Sequence, residues 1–275
     1  MSVALYIGAV DTNASASVPL QVMSFNVLQM DSDGAYTWED RKHLLAETVQ
    51  LCNPALLGTQ EIFAEQAAFL REQVPYLTSF GSGRFGDDRD KHNLIFFDRT
   101  RFSLVECGDL WFSRNPEVPG SSDWNIPKPR MVTWGKLRPA SGPDVLILNT
   151  HMPYGRGADE ARRQAALIVL RAIAVLPSDL PLFLTGDFNA PVGGEIYAML
   201  TAGLADARKS ARHTTGPEDT LHGFGRLPPN PKPRRIDWIL HRGAADTLEA
   251  TTVTHSRDGR FPSDHYPVTA SFLLS

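Results

Sequence analysis

Residues 182–189 read LFLTGDFN, an apolar run that leads directly into a carboxylate and a carboxamide. An apolar run of this length is typical of a strand that is buried in a sheet. Because side chains alternate along a strand, we expect Asp187 and Asn189 to point the same way and to present an acid and an amide to one place. The alternative is an Asx turn after the strand, with the bend at Gly186.

Polar side chains lie in or beside an apolar segment at five further places along the chain. α/β folds gather the groups of a functional site at one edge of their sheets in this way. We therefore expect these side chains to share one site. Together with the first segment they are Asn26, Glu61, Asn149 and His151, Asp187 and Asn189, Asp237, and Asp264 and His265.

Strand-like and helix-like segments alternate along the chain, which predicts a single α/β domain over residues 20–275. The sequence Thr37-Trp38-Glu39-Asp40 has the form of a helix start. The apolar spacing over residues 159–176 predicts the longest helix. Residues 1–19 are expected to be an N-terminal extension, either an extra strand or a loose leader.

The composition of the 275 residues narrows the class of protein. A protein that binds duplex nucleic acid through its phosphates usually has an excess of basic residues. The net charge here is −4, which argues against this class of protein. No apolar run reaches the ~18 residues that a membrane-spanning helix needs. Two widely spaced cysteines argue against a disulfide framework, so we expect a cytoplasmic protein, and also a monomer. The small residues Ala14-Ser15-Ala16 keep secretion as the alternative.

Six short segments, taken in order, resemble the endonuclease/exonuclease/phosphatase superfamily. The resemblance covers residues 20–274 and implies a four-layer α/β sandwich, in which two packed mixed β-sheets are flanked by helices. It also implies a metal-dependent hydrolase of phosphate esters. The segments are MSFNV (23–27), TQE (59–61), NTH (149–151), GDFN (186–189), RIDWI (235–239) and SDHYPV (263–268).

Four further segments are similar to a bacterial branch of that superfamily that lies near the nocturnin-type deadenylases. That branch usually carries an Asp soon after the NTH segment, whereas His151 is followed here by Met152, Pro153 and Tyr154. The departure concerns the surroundings of His151 and the choice of substrate. The segments are PKPRMVTW (127–134), ARRQAA (161–166), TLHGF (220–224) and FPSDHYPV (261–268).

The chemistry of phosphate-ester hydrolysis requires that negative charge on phosphate oxygens be neutralised and that a water attack in line. Hard oxygen ligands select Mg²⁺, with Mn²⁺ as a substitute. Glu61 and Asn26 are the predicted metal ligands, and Asp264 is a third candidate. Taken singly, Glu61 is better explained as a surface carboxylate after a strand, and Asn26 as a turn amide. The occurrence of all the segments in order is what favours a metal site.

The resemblance also implies roles for the catalytic residues. Asp187 would orient or deprotonate the attacking water, while Asn189 would hold that water or a phosphate oxygen. Asp237 would fix the tautomer of His265 and favour its cation, which stabilises charge on the phosphoryl group. His151 would act as a second donor or as the general acid.

Four residues are predicted to contact the substrate. Arg130 and Arg162 have the planar fork that binds phosphate, although each could instead brace the site. Asn149 belongs to the NTH segment, and His222 lies in the TLHGF segment. The alternatives are a solvated helix face for Arg162 and a packed histidine for His222.

The substrate is therefore a phosphorylated molecule, and the sequence leaves its class open. A phosphodiester or a phosphomonoester would serve, in a single-stranded nucleic acid, a nucleotide or a small phosphorylated metabolite. Two other functions remain as alternatives: a sphingomyelinase-type lipid phosphodiesterase, and a binding module that keeps the fold without catalysis.

Overall fold

Two mixed β-sheets pack face to face in the computed structural model, which describes residues 19–30, 36–228 and 230–274. The predicted extension over residues 1–19 therefore lies almost wholly outside the described residues. The first sheet has seven strands in the order β10 (His213–Thr215), β12 (Ala244–Thr252), β13 (Val268–Leu274), β1 (Leu20–Asn26), β2 (Leu56–Gln60), β4 (Ile95–Asp98) and β3 (Leu77–Phe80). The second has six in the order β5 (Phe102–Trp111), β6 (Met131–Pro139), β7 (Val145–His151), β8 (Leu182–Asp187), β11 (Asp237–Arg242) and β9 (Ala205–Asp206).

The helices cover the outer faces of the two sheets and complete four layers. Helices α1 (Trp38–Cys52) and α2 (Ala64–Gln73) pack on the first sheet. Helices α3 (Asp159–Val175) and α4 (Glu195–Thr201) pack on the second sheet. A short helix α5 (Ala207–Ser210) and a 3₁₀ turn (Gly223–Gly225) lie in the connections. The predicted four-layer α/β sandwich is confirmed, and none of the described helices is long and apolar enough to span a membrane.

The apolar runs of the central strands are explained by burial on both faces. In β1, Val22 points into the core between the sheets while Met23 packs under the helices. In β8, Phe183 points inward and Leu184 outward. Strands buried on both sides lose the apolar–polar alternation and become continuously apolar, as the sequence shows.

Helix α1 begins and ends where local chemistry predicts. Thr37 caps its first turn, because the Thr37 hydroxyl accepts from the Asp40 amide at 3.4 Å and the Asp40 carboxylate accepts from the Thr37 amide at 3.3 Å. Asn53 ends the helix in the left-handed conformation, with φ of 44°. Caps of this kind satisfy backbone groups that the helix leaves unpaired.

Four short elements were not predicted from the sequence: β3, β9, α5 and β10. Each has two to four residues. A segment of this length is too short to show a period of 2 or 3.6 residues, so only its neighbours in the fold define it.

Candidate active site

The predicted site residues meet at one end of the space between the two sheets. Strands β7, β8 and β11 lie side by side, and their register aligns His151 with Asp187 and Asp187 with Asp237. These three side chains continue the inward rows that hold Ile147, Phe183 and Ile239 deeper in the core. The site is therefore the point at which the apolar core between the sheets gives way to polar groups.

A cleft of about 540 Å³ opens at this end of the sandwich. A slightly larger groove of about 600 Å³ lies beside α3 on the other side of the second sheet, and its lining includes none of the predicted site residues. The chemistry therefore belongs to the first cleft. Its lining includes Asn26, Glu61, Arg130, His151, Asp187, Asn189 and His265.

Asp187 is the most closely engaged acid of the cleft. Its Oδ2 accepts from the Asn26 amide at 3.1 Å and lies 3.3 Å from Nε2 of His151, while its Oδ1 accepts from the Asn189 backbone at 2.9 Å. Burial, reinforced by the nearby Asp237 carboxylate, raises the pKa of Asp187 to about 7. A carboxylate with such a pKa is suited to exchange a proton near neutral pH.

The predicted strand geometry of Asp187 and Asn189 is wrong, although both residues line the cleft. Strand β8 ends at Asp187, and Asn189 has a left-handed backbone with φ of 48°. The Asn189 N–H donates to Asp187 Oδ1, which is the Asx turn that stood as the alternative. The turn aims the Asn189 amide at the Met152 carbonyl, 3.0 Å away.

His265 and Asp237 form the predicted pair. Nδ1 of His265 lies 2.9 Å from Oδ2 of Asp237, and both side chains are buried. Burial by itself disfavours the imidazolium, but Asp237 outweighs it and the pKa of His265 rises to about 10. His265 lines the cleft and Asp237 lies behind it, so Asp237 acts through the histidine.

The surroundings of His151 disfavour its imidazolium form. Its ring is buried, and burial together with the positive charge of Arg130 holds the pKa well below the ordinary value. The residues after it, Pro153 and Tyr154, line the cleft where the related branch usually has an Asp. Tyr154 is 64% exposed there, and the Arg130 guanidinium lies over its ring, 5.8 Å from the centroid.

The predicted metal ligands supply oxygen atoms at the first sheet. Glu61 follows β2 directly and has a left-handed backbone with φ of 64°, and Asn26 ends β1 beside it. Asp264 is mostly buried, and burial together with the negative charge of Glu61 raises its pKa. Two largely buried carboxylates and an amide oxygen supply the hard oxygen donors that a divalent cation prefers.

A second group of potential ligands has another explanation. Asp187, Asp237 and His265 present atoms that lie within 4.8 Å of one another. The facing atoms of Asp237 and His265 are already joined by their hydrogen bond, and the Asp187 carboxylate accepts from two amides. The facing atoms of this group are therefore paired with one another and with the two amides.

Three cations in the cleft were not predicted: Arg84, Lys91 and Lys128. Nζ of Lys91 lies 2.7 Å from Oε2 of Glu61, and this pairing pulls the pKa of Glu61 below its ordinary value against the effect of burial. Arg84 pairs with Asp90 at 2.6 Å. These residues lie in loops with no periodic pattern. Lys128 belongs to the PKPRMVTW segment, whereas for Arg84 and Lys91 the sequence offers only their charge as a signal.

The four residues that were predicted to contact the substrate occupy different positions in the structure. Arg130 lines the cleft. Arg162 donates to the Pro153 carbonyl at 3.0 Å and to Asp159 at 2.6 Å, so it braces the loop after His151, which was one of the two roles considered. His222 does not line the cleft, which argues against its predicted contact with substrate. Its ring stacks on Tyr266 with centroids 4.1 Å apart, which is the packed histidine of the alternative.

Asn149 does not reach the cleft, which argues against the predicted contact with substrate. Its side chain is fully buried between the sheets. It donates to the carbonyls of Thr59 and Leu94 at 2.7 and 3.1 Å and accepts from Gln60 at 2.7 Å. These bonds join the two sheets just beneath the site, because a buried amide needs partners for all its polar atoms.

Comparison with known proteins gives a consistent set of similarities. The sequence model described as the Endonuclease/Exonuclease/phosphatase family matches residues 23–265. The structure of a mannosyl-6-phosphatase from Bacteroides thetaiotaomicron superposes with a TM-score of 0.84 and 28% identity, over 93% of this chain and 100% of that one.

Two curated relatives come from animals. Protein angel homolog 2 of Mus musculus is 25% identical over 76% of this chain and 43% of its own length. Nocturnin of Drosophila melanogaster is 26% identical over 60% of this chain and 26% of its own length. The chain thus spans less than half the length of both curated relatives.

Proposed function

The chain belongs to the Endonuclease/Exonuclease/phosphatase family, and we propose that it is a Mg²⁺-dependent hydrolase that releases phosphate from small phosphorylated metabolites such as sugar phosphates. One observation carries the proposal: a buried acid with a pKa near 7, a cationic histidine and four further cations converge in one cleft. Such a set supplies a base for water and positive charge for a phosphate group.

Asn26, Glu61 and Asp264 are the residues that would hold the divalent cation. When bound, the cation would neutralise charge on the phosphate oxygens and make a coordinated water more acidic. Their oxygen chemistry suits Mg²⁺, and Mn²⁺ would substitute.

Asp187 is the proposed base for the attacking water. Its carboxylate is held by hydrogen bonds from Asn26 and from the backbone of Asn189, so its orientation is set before the substrate arrives. Preorganisation of this kind avoids reorganisation during the reaction.

The two histidines of the cleft take different parts. His265 carries a positive charge that Asp237 sustains, and it stabilises the charge that develops on the phosphoryl oxygens. Burial holds the pKa of His151 well below its ordinary value, which favours the role of hydrogen-bond donor over that of general acid.

The choice of a small substrate rests on size and charge. The cleft volume of about 540 Å³ lies in the range of small-molecule sites. The net charge of −4 supplies no general attraction for a long polyanion. The similarity to a mannosyl-6-phosphatase over nearly the whole chain supports the same choice.

The second candidate substrate is the end of a single-stranded nucleic acid. The exposed ring of Tyr154 at the cleft would stack on a base as well as on a sugar. The curated relatives also include a protein named as a probable RNA exonuclease, from Schizosaccharomyces pombe.

A hydrolysis screen with Mg²⁺ or Mn²⁺ tests these proposals. The panel contains hexose 6-phosphates, nucleotides, inositol phosphates, an aryl phosphodiester, oligoadenylate and sphingomyelin. We expect the hexose phosphates to be the best substrates and Asp187→Asn to remove the activity, with the exposed Asp179→Asn as the matched control. Faster cleavage of oligoadenylate would favour the nuclease, and cleavage of sphingomyelin alone would favour the lipid enzyme. If no substrate of the panel is hydrolysed, the proposed enzymatic function is refuted, and a binding module with the same fold is the remaining alternative.

A further inference from the structure

Lys91 has an unusual position for a phosphate-binding cation, because it is bound to a predicted metal ligand. Its ammonium lies 2.7 Å from Oε2 of Glu61, and both side chains are about 15% exposed. An ion pair with so little access to water is only weakly screened. The pair therefore has to be broken, or strongly weakened, before another cation can use the same carboxylate oxygen.

The backbone around Lys91 is held close to Glu61 by pairing between loops. His92 and Ile62 form an antiparallel bridge, with the His92 amide donating to the Ile62 carbonyl at 2.8 Å. Arg84 donates from its backbone to the Lys91 carbonyl at 3.0 Å. Because the backbone is fixed at both points, only the flexible side chain of Lys91 is free to change partner.

Two of the neighbouring cations, Arg84 and Lys128, are engaged with another carboxylate. Arg84 is 2.6 Å from Asp90, and Lys128 is 3.5 Å from the other oxygen of the same carboxylate. Neither contact involves Glu61. Lys91 is thus the cation of this group whose partner would change when a divalent ion binds.

A divalent cation at Oε2 of Glu61 and the Lys91 ammonium at the same oxygen would repel each other, because both carry positive charge. The released ammonium would remain in a cleft lined by other cations, where an anion is its natural partner. A terminal phosphate with two negative charges satisfies both the metal and the lysine.

We propose that Lys91 competes with the divalent cation for Glu61 and, once displaced, becomes a ligand of the substrate's terminal phosphate, so that the metal and a phosphomonoester bind cooperatively. The inference rests on the proposed function, and it makes Lys91 the residue that favours a phosphomonoester dianion over a diester.

Calorimetric titration with Mn²⁺, with and without inorganic phosphate, tests the inference without any assay of activity. The wild-type protein should bind Mn²⁺ about 5- to 150-fold more tightly in saturating phosphate, which is the usual range for coupled sites. Lys91→Met should bind Mn²⁺ at least fivefold more tightly than wild type when phosphate is absent, and should lose most of the coupling. Lys209→Met, which removes an exposed lysine that does not line the cleft, should behave as wild type.

Thermal unfolding of each variant keeps the result interpretable. If Lys91→Met does not fold, Lys91→Gln carries the same expectation, because its amide can donate to Glu61 without a charge. Unchanged or weaker Mn²⁺ binding in a folded Lys91 variant overturns the inference. A wild-type protein that binds no Mn²⁺ overturns the inference and the metal-dependent function together. The two proposals can also fail separately. If Lys91→Met binds Mn²⁺ more tightly but the wild-type protein hydrolyses none of the screened esters, the competition for Glu61 is supported and only the enzymatic function is refuted.

Discussion

The pairing of Asp237 with His265 predicts that the two residues act as one unit. Asp237 does not line the cleft itself, and its carboxylate is hydrogen-bonded to His265, which does. Removing the histidine should therefore remove whatever the acid contributes. The perturbations are Asp237→Asn, His265→Ala and the double variant, with Asp179→Asn as an exposed control.

The size of each effect follows from the contact. A hydrogen bond to a charged group is worth about 1.5–3 kcal/mol, and the pair is buried at a distance of 2.9 Å. If that energy is realised in the transition state, Asp237→Asn lowers kcat by between about 10-fold and about 150-fold. His265→Ala removes the cation itself, so we expect a loss of about 10²- to 10⁴-fold. The double variant should lie within about twofold of His265→Ala, since a residue without its partner adds little.

Steady-state kinetics on the best substrate of the screen, with melting temperatures for every variant, provides the test. KM should change less than kcat, because the pair acts on charge that develops during the reaction. If the loss in the double variant equals the product of the two single losses, the residues act independently and the reasoning is wrong. The same conclusion follows if Asp237→Asn retains wild-type turnover.

Three further predictions concern the metal, the base and acid stability. EDTA should abolish activity and Mg²⁺ or Mn²⁺ should restore it, while Glu61→Gln should weaken Mn²⁺ binding in calorimetry; full activity in a metal-stripped sample would contradict the metal site. Asp187→Asn should lower kcat by roughly 10²-fold or more with little change in KM, the usual scale for a general base, and near-normal turnover would make Asp187 only a turn former. Asp206 is largely buried, which raises its pKa, but hydrogen bonds from Arg235 at 2.6 Å and Tyr197 at 2.7 Å hold the pKa below the ordinary value. Its stabilisation is therefore present above its unfolded pKa of about 4 and is lost as the pH falls through the lower folded pKa. Melting temperatures between about pH 3 and pH 7 should thus fall less steeply on acidification for Asp206→Asn than for the wild type, and equal slopes would refute this.

Local pattern determined much of the fold. The apolar runs that predicted the central strands are continuous because those strands are buried on both faces. The start of α1 at Thr37 and its end at Asn53 follow from capping chemistry that neighbouring residues supply. Features of this kind are encoded within a few residues, so they can be read without the tertiary structure.

Most residues that line the cleft could also be identified from the sequence. Polar residues at strand ends predicted Glu61, His151, Asp187 and His265, and all four line one cleft. These side chains meet because adjacent strands in a sheet bring their ends together. Asn149 has the same signal in the sequence, but its inward side chain is used to join the two sheets.

Only the tertiary structure determined the ion pairs of the site and the orientation of its side chains. The chain leaves the strand at Asp187, and a turn, not strand alternation, orients Asn189. Lys91 reaches Glu61 from a position 30 residues away, through a bridge between two loops. A sequence reports the period and the caps of each segment, whereas contacts between loops depend on how the sheets pack. The partner of Glu61, and with it the electrostatics of the cleft, could be known only from the folded chain.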